Sequence, residues 1–211
     1  MSPPGLLVMA KAPIAGRVKT RLCPPCTHEE AACIAEAALQ DTLAAALSCD
    51  RRVVLALEGP LGRWLPPGVE VVPQISGTFN ERLTAAWTHL PDGGVQIAMD
   101  TPQVDVALLS CALAGVHDHH ASLGLATDGG WWIIGLRRPD PSVFAGISMS
   151  TPTTGQQQLT RLRTLGFDPI VLPTLTDIDT WCTARSVARA IPGSRTALAI
   201  ERVDERIAVS R

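Results

Sequence analysis

Short apolar runs alternate with longer amphipathic segments, and this alternation limits the possible folds of the chain more than any other feature. Gly5–Ala10 is a continuous apolar run, as expected for a strand covered on both faces. Thr27 precedes Glu30 by three residues, which predicts a capping box at the start of a helix. Because the pattern recurs, we predict an α/β fold with a mostly parallel central sheet covered by helices.

The remaining predicted elements continue the alternation. Further strands are predicted at 53–57, 69–72, 95–99, 123–126, 131–136 and 169–172. Helices are predicted at 27–48, 80–90, 104–115 and 155–165, whereas the segment after Pro192 fits either a loose tail or an added helix. Without a repeat or a long linker, we expect one domain over 1–211, with a core at about 6–190 and a C-terminal extension at 191–211.

Composition and charge argue against several classes of protein. The chain is 46% hydrophobic and 18% charged, which is too apolar for a disordered protein. Its net charge of −2 offers no basic excess for a nucleic-acid backbone. No apolar run approaches the ~20 residues that span a bilayer, and the N-terminus lacks the charge of a secretory signal. We therefore expect a cytoplasmic protein with no membrane or nucleic-acid partner and with reduced cysteines; a homodimer is one option for its assembly.

The loop after the first strand carries the strongest chemical signal. Both lysines of the chain, Lys11 and Lys19, lie there with Arg17 and Arg21, and Gly16 falls between them. Four cations this close repel one another unless an anion neutralises them. The loop also follows a strand at the end where open α/β sheets bind ligands. Although it lacks the Walker pattern, it favours binding of polyphosphate over an ordinary solvated basic loop.

Three aspartates are candidates for a divalent metal site. Asp100 ends a predicted strand, and extended backbone would point Asp177 and Asp179 to the same side. Mg²⁺ prefers one or two carboxylates together with phosphate oxygens. Helix N-capping explains Asp100 about as well, and it explains Asp179 but leaves Asp177 without a role.

The segment Asp128-Gly129-Gly130 is a weaker signal for a ligand. Two adjacent glycines let the backbone approach a ligand closely, and free N–H groups there could cradle an anion. Asp-Gly is equally a strong cue for an ordinary hairpin turn. The segment alone does not decide between these interpretations.

Two other groups of potential metal ligands rank lower. Cys23 and Cys26 could form a redox pair, or a zinc cluster with His28 and Cys33. The prolines between the two cysteines suit a turn equally well. The histidines at 117, 119 and 120 lie at the end of a predicted helix, where they favour the negative end of its dipole. A turn and a surface loop are the stronger interpretations.

Taken together, these segments resemble a known family. It is DUF2064, a glycosyltransferase-like bacterial family of unknown function that is related to 2-phospholactate guanylyltransferase. The matching segments occur in the family's order and cover about residues 6–190; they are 11–22, Gln74 to Leu83, Asp100-Thr-Pro102, Asp128-Gly-Gly130 and Asp177-Ile-Asp179-Thr180. The resemblance implies the GT-A fold of the nucleotide-diphospho-sugar transferases, a Rossmann-like three-layer α/β/α sandwich.

The resemblance also implies a Mg²⁺- or Mn²⁺-dependent transferase that uses a nucleoside triphosphate or a nucleotide-sugar and a small-molecule acceptor. Nucleotidyl transfer is preferred; glycosyl transfer and non-catalytic nucleotide binding are the alternatives. The metal ligands implied are Asp100, Asp177 and Asp179, and the catalytic residues are Lys19, Arg21 and Asp100. The residues expected to bind the nucleotide and the acceptor are Lys11, Gly16, Arg17, Lys19, Arg21, Asp128, Gly129, Gly130, Ser150 and Thr151.

The chain departs from the family's pattern around the expected acceptor pocket. Trp131 and Trp132 stand where the family usually has tyrosine, and Met149 replaces a tryptophan. Asn80 and Ala98 occupy positions that are usually glycine. Since aromatic and small residues shape a pocket, these changes bear on which acceptor fits.

Overall fold

One seven-stranded sheet forms the centre of the computed structural model, which describes residues 3–209. The strands are β1 (Gly5–Lys11), β2 (Val53–Glu58), β3 (Val69–Pro73), β4 (Gly94–Ala98), β5 (Ala121–Ala126), β6 (Trp131–Leu136) and β7 (Ile170–Leu175). Their order is β3-β2-β1-β4-β6-β5-β7. β6 runs antiparallel to β4 and β5, whereas the other pairings are parallel, so the predicted mostly parallel sheet is confirmed.

Residues 3–209 form six α-helices, of which four cover the two faces of the sheet and complete the α/β/α sandwich. They are α1 (His28–Leu47), α2 (Phe79–Trp87), α3 (Val106–Asp118), α4 (Thr154–Thr164), α5 (Trp181–Ala190) and α6 (Arg195–Val209). α1 and α3 pack on one face, where Leu39 and Leu109 share a core with Leu6. α2 and α4 pack on the other face through residues such as Trp87 and Leu159. α5 and α6 form a further apolar cluster with the outer side of α1.

Helix α1 begins where the sequence predicts it. The Thr27 hydroxyl accepts a hydrogen bond of 3.2 Å from the Glu30 N–H, and the Glu30 carboxylate accepts one of 2.7 Å from the Thr27 N–H. This reciprocal pair is the predicted capping box. The helix is rich in alanine because it packs on both sides, with Ala35 facing the sheet cluster and Ala38 facing the α5–α6 cluster.

The helices next to the candidate metal ligands begin later than the capping interpretation requires. α3 is capped by Asp105, whose side chain accepts from the Leu108 N–H, so Asp100 is not its N-cap. α5 is capped by Thr180 in a capping box with Thr183, so Asp179 is not its N-cap. The capping interpretation of both aspartates is therefore wrong.

The segment after residue 192 forms an added helix, α6, so the loose-tail alternative is wrong. Thr196 at its start donates to Asp41 on α1 from both its N–H and its hydroxyl, over 2.9 and 2.7 Å. Within residues 3–209, no helix has both the length and the apolar composition that crossing a membrane requires.

Candidate active site

A cavity of about 500 Å³ opens beyond the carboxyl ends of β1 and β4. The four cationic residues of the first loop line it, and so do all three candidate metal ligands. Asp128, Gly130, Ser150 and Thr151 complete the part of the wall that the sequence predicted. Gly16 and Gly129 do not line this cavity. Segments far apart in the chain are thus brought together beyond β1 and β4, where the strand order reverses. Ligands bind at this position in open α/β folds.

Lys19 lies at the centre of this arrangement. Its ammonium forms an ion pair of 2.7 Å with Asp100 and also donates to the backbone carbonyl of Ile178. The Lys19 side chain is only 10% exposed, whereas that of Asp100 is 41% exposed, so water reaches the pair mainly from the carboxylate side. One cation therefore connects the end of β4 with the loop that follows β7.

Arg21 makes a second pair of the same kind nearer the solvent. Its guanidinium lies 2.6 Å from the carboxylate of Asp179, and the Arg21 side chain is well exposed. Lys11 is 3.6 Å from Glu58 at the end of β2. Arg17 is exposed and makes no ion pair with any other residue among 3–209. The four cations therefore differ: two are held by candidate metal ligands, one by Glu58, and Arg17 by none.

Asp177 is half-buried and sits among other carboxylates. Burial is the largest cause that raises the pKa of Asp177 above its ordinary value, and the charge of Asp128 is the next. Asp100 raises this pKa further, while Lys19 opposes the shift. Asp177 forms no ion pair within residues 3–209, so its negative charge is held at a free-energy cost that a bound cation would relieve.

The carboxylates suit a hard divalent cation but do not form a ready ligand set. Aspartate oxygens are the ligands that Mg²⁺ and Mn²⁺ prefer. In the part of the chain that the structure describes, no three His, Cys, Asp or Glu side chains converge closely enough to hold a metal. Asp100 and Asp179 instead face Lys19 and Arg21. The donor chemistry therefore fits such an ion, but two of the three carboxylates are neutralised by cations of the first loop.

The turn at Asp128-Gly129-Gly130 joins β5 to β6 and is a hairpin turn as well as a wall of the cavity. The Gly129 N–H donates to the Ala126 carbonyl, and the Gly130 N–H donates to the Asp128 carboxylate over 2.7 Å. The free N–H groups expected there are thus already used. Gly129 has a φ of 90°, and a Cβ on it would overlap the backbone of Pro152. The Asp128–Gly130 turn consequently presents the Asp128 side chain to the cavity, and not free N–H groups that could bind an anion.

The Ser150–Thr151 segment is held by a network at the start of α4. The Thr154 hydroxyl donates to the Ser148 carbonyl over 2.7 Å and accepts from the Thr151 N–H over 3.0 Å. Asn80 supports the preceding segment by donating to the carbonyls of Phe144 and Ile147. The departure from glycine at position 80 therefore has a structural role, since its side chain fixes the loop that leads into the cavity wall.

A cluster centred on Arg82 also lines the cavity, and the sequence assigned it no role. The Arg82 guanidinium donates to Glu58 over 2.5 Å and to the Gln74 side-chain oxygen over 3.1 Å, and lies 5.2 Å from the centre of the Phe79 ring. Gln74 is anchored in turn, because its amide nitrogen donates to the carbonyls of Ala10 and Ala56. The sequence signals were the match of Gln74 to Leu83 to the family's pattern and the position of Glu58 and Gln74 at or just beyond strand ends.

The floor of the cavity contains two buried polar side chains. Gln96 on β4 is 2% exposed and accepts a hydrogen bond of 2.7 Å from the Trp87 indole. Thr101 is 1% exposed, and its hydroxyl has no partner within residues 3–209. Buried polar groups usually have partners, so the Thr101 hydroxyl is a group that a ligand or a water could satisfy.

Burial disfavours the thiolate forms of the cysteine pair. Burial, followed by the neighbouring Cys23, raises the pKa of Cys26 to about 12. Burial is also the largest cause that raises the pKa of Cys23. Metal binding and disulfide exchange need the thiolate, which such thiols supply poorly near neutral pH. Cys33 is exposed, and no metal-binding group includes any of these residues within 3–209. The turn interpretation of this segment is the better supported one.

A family model relates the chain to known sequences. The model described as an uncharacterised protein conserved in bacteria, DUF2064, matches residues 32–151. This range contains Asp100 and the Asp128–Gly130 turn, whereas the basic loop and Asp177 lie outside it. No curated protein matches the chain.

Solved structures share the fold. A crystal structure of a proposed nucleotide-diphospho-sugar transferase from Desulfovibrio desulfuricans G20 is 24% identical, with a TM-score of 0.86 over 97% of this chain and 96% of that one. Rv0371C from Mycobacterium tuberculosis, in complex with manganese, is 21% identical with a TM-score of 0.51 over 88% and 98% of the two chains. A CMP:2-keto-3-deoxy-manno-octonic acid synthetase complexed with CTP is 12% identical with a TM-score of 0.55 over 95% and 100%.

Proposed function

The chain belongs to the DUF2064 family, and from this premise we propose that it is a nucleotidyltransferase that depends on a divalent metal. The observation that carries the proposal is the meeting of four loop cations with Asp100, Asp177 and Asp179 around one cavity. Two relatives in fold support it: one is a complex with manganese, and the other is a synthetase complexed with CTP.

The basic loop is the proposed seat of the phosphates. Arg17 and Arg21 are exposed and can reach an incoming polyphosphate, and Lys11 and Lys19 face the cavity from either end of the loop. Arginine forks suit phosphate oxygens, and a lysine adds a compact charge. These residues would neutralise the negative charge that develops on the leaving group, which is the main protein contribution in phosphoryl chemistry.

Asp100 and Asp177 are the proposed principal metal ligands, with Asp179 joining them once Arg21 has moved to the phosphate. One or two carboxylates with phosphate oxygens form the usual surroundings of Mg²⁺. When bound, the ion would supply Lewis-acid stabilisation of the phosphate oxygens. Asp128 is the proposed outer neighbour, because its charge already acts on Asp177.

The proposed reaction joins a phosphate or hydroxyl oxygen of the acceptor to the α-phosphorus of a nucleoside triphosphate. The bond from the α-phosphorus to the bridging oxygen breaks, pyrophosphate leaves, and a hydroxyl acceptor gives up its proton to water. The cavity of about 500 Å³ lies within the range typical of small-molecule sites. The acceptor is proposed to lie near Asp128, Ser150 and Thr151, against the wall that carries Trp131 and Met149. A side-chain nucleophile is not needed, because positioning and charge neutralisation suffice for this chemistry.

Glycosyl transfer is the second candidate. The observation in its favour is the fold match to the proposed nucleotide-diphospho-sugar transferase over 97% of the chain. A nucleotide-sugar carries a diphosphate, so the same loop could hold it. The two reactions differ in their product, which is pyrophosphate in the first and a nucleoside diphosphate in the second.

The test is product analysis with each nucleoside triphosphate and a set of nucleotide-sugars, Mg²⁺ or Mn²⁺, and a panel of small phosphorylated and hydroxylated acceptors. Pyrophosphate together with a nucleotidylated acceptor supports the proposal, provided that Asp100→Asn abolishes it. Nucleoside diphosphate released from a nucleotide-sugar replaces it with glycosyl transfer. Nucleotide binding without either product across the panel contradicts catalysis and favours a nucleotide-binding module.

A further inference from the structure

Two ion pairs within the site join residues proposed to bind phosphate to residues proposed to bind the metal. Lys19 and Arg21, the proposed phosphate ligands, are paired with Asp100 and Asp179, the proposed metal ligands. We propose that the site takes up a divalent cation and a polyphosphate as one complex, and that Lys19 prevents the cation from binding alone. This inference rests on the proposed function, since it concerns the order in which the same site fills.

The contacts of Lys19 make it an internal substitute for the metal. Its ammonium is 2.7 Å from the Asp100 carboxylate and also bonds to the Ile178 carbonyl, in the loop that carries Asp177 and Asp179. A compact cation with oxygen partners from both aspartate segments occupies the electrostatic position of a bound ion. A free divalent cation approaching Asp100 meets this charge at close range and is repelled.

A polyphosphate changes this balance. Its oxygens offer Lys19 and Arg21 a denser negative charge than single carboxylates do. When both cations turn to the phosphate, Asp100 and Asp179 lose their partners beside Asp177, whose carboxylate already lacks one among the described residues. The freed carboxylates then attract the cation that accompanies the phosphate. The exchange replaces two cation–carboxylate pairs with cation–phosphate and carboxylate–metal pairs, so charge remains balanced throughout.

Arg17 provides a matched control for this role. It belongs to the same loop and carries the same charge, but it is exposed and forms no ion pair within residues 3–209. Removal of either cation raises the general attraction for a metal by one unit of charge. Only the loss of Lys19 also empties the position beside Asp100.

The experiment measures Mn²⁺ binding to the full chain, without nucleotide, by calorimetric titration or by the electron paramagnetic resonance of free Mn²⁺. We expect Lys19→Met to bind Mn²⁺ at least about tenfold more tightly than the wild-type protein, within the usual range of coupling between sites. Arg17→Met should change the affinity by less than about threefold, since an exposed charge is screened. Adding Asp100→Asn to Lys19→Met should remove the gain.

Equal Mn²⁺ affinity of the Lys19→Met and Arg17→Met proteins overturns the inference while leaving the transferase proposal intact. Absence of Mn²⁺ binding in every variant without nucleotide also overturns the inference, whereas the proposed metal dependence is overturned only if Mn²⁺ fails to bind in the presence of a nucleoside triphosphate as well. Lys19→Gln, which retains a donor for the Ile178 carbonyl, replaces Lys19→Met if circular dichroism shows that the methionine variant does not fold.

Discussion

The backbone N–H of Ile178 donates a hydrogen bond of 2.9 Å to the carbonyl of Asp100. This bond joins the loop after β4 to the loop after β7, which are the two segments that carry the proposed metal ligands. The Ile178 side chain is fully buried in the cluster formed by α1, α5 and α6. Packing of the Ile178 side chain in this cluster thus positions the two adjacent aspartates, Asp177 and Asp179.

Truncation of Ile178 should therefore affect both stability and the site. We expect Ile178→Ala to lower the free energy of unfolding by about 2–4 kcal/mol, because it leaves a cavity in a packed cluster. It should also weaken Mn²⁺ binding in the presence of nucleotide, since the loop loses its anchor. Ile178→Val is the control and should cost about 1 kcal/mol with little change in binding. Urea denaturation and calorimetry measure the two effects, and equal costs for both variants would contradict the anchoring role.

In the absence of metal, the ionised side chain of Asp177 should lower the stability of the folded protein. Burial and the charge of Asp128 raise the pKa of Asp177 in the folded state, so its ionised form opposes folding at pH values above that pKa. Without metal, Asp177→Asn should therefore raise the melting temperature at pH 7 and 8. The gain should vanish below about pH 3, where the carboxyl is protonated in both the folded and unfolded states.

Asp168→Asn is the control for this prediction, because Asp168 is exposed and the substitution removes the same charge. It should leave the melting temperature nearly unchanged. A lower melting temperature for Asp177→Asn at pH 7 than for the wild-type protein would show that the carboxylate is structurally required. Thermal unfolding in matched buffers, with metal removed by a chelator, measures the difference.

Docking of α6 onto α1 should make stability depend on pH through Glu30. The Glu30 carboxylate takes two hydrogen bonds from Arg206, of 2.5 and 2.8 Å. The bond from Arg206 is the largest cause that lowers the pKa of Glu30. Because the pKa of Glu30 is lower in the folded state, its carboxylate stabilises the fold at pH values above the unfolded-state pKa. This stabilisation is lost as the pH falls through the folded-state pKa.

Glu30→Gln tests this contribution without removing the helix cap, because glutamine also serves at this position of a capping box. We expect it to lower stability only slightly at pH 7, by less than about 1 kcal/mol, as the loss of an exposed ion pair does. The difference from the wild-type protein should shrink towards zero when both are unfolded in urea below about pH 4. Glu36→Gln on the same helix is the control; a constant difference at every pH contradicts the assignment.

The sequence predicted the parts of this fold that depend on local signals. The apolar run at Gly5–Ala10 and the capping box of Thr27 and Glu30 are formed by neighbouring residues, so a single stretch reveals them. The capping interpretation of Asp100 and Asp179 failed because better caps follow them: Asp105 lies five residues after Asp100, and Thr180 directly follows Asp179. Several acceptable caps in one short segment leave the choice to tertiary packing.

The unpredicted part of the candidate site depends on contacts between distant segments. Arg82 meets Glu58 and Gln74 because β2 and β3 pair in parallel and α2 packs on the face of the sheet that these strands share. The ion pairs of Lys19 and Arg21 likewise need the loop after β7 beside the first loop. Spacing along the chain identified the charged groups, but it could not show that the cations and carboxylates would pair with one another.

The side chains of Lys19 and Arg17 differ in burial, which predicts that they contribute unequally to turnover. Lys19 is 10% exposed and is held by both Asp100 and the Ile178 carbonyl, so its charge is fixed in place and is less accessible to water than that of Arg17. Arg17 is exposed, and salt and water screen its charge. Once a turnover assay exists, we expect Lys19→Met to lower kcat/KM by about 10²–10³-fold. Arg17→Met should lower it by less than about tenfold.

The measurement is steady-state pyrophosphate release at low and at 0.5 M salt, chosen because added salt should reduce the Arg17 effect far more than the Lys19 effect. Equal losses at both positions would mean that the loop acts as a diffuse basic patch and that the buried contact of Lys19 has no special part in the reaction.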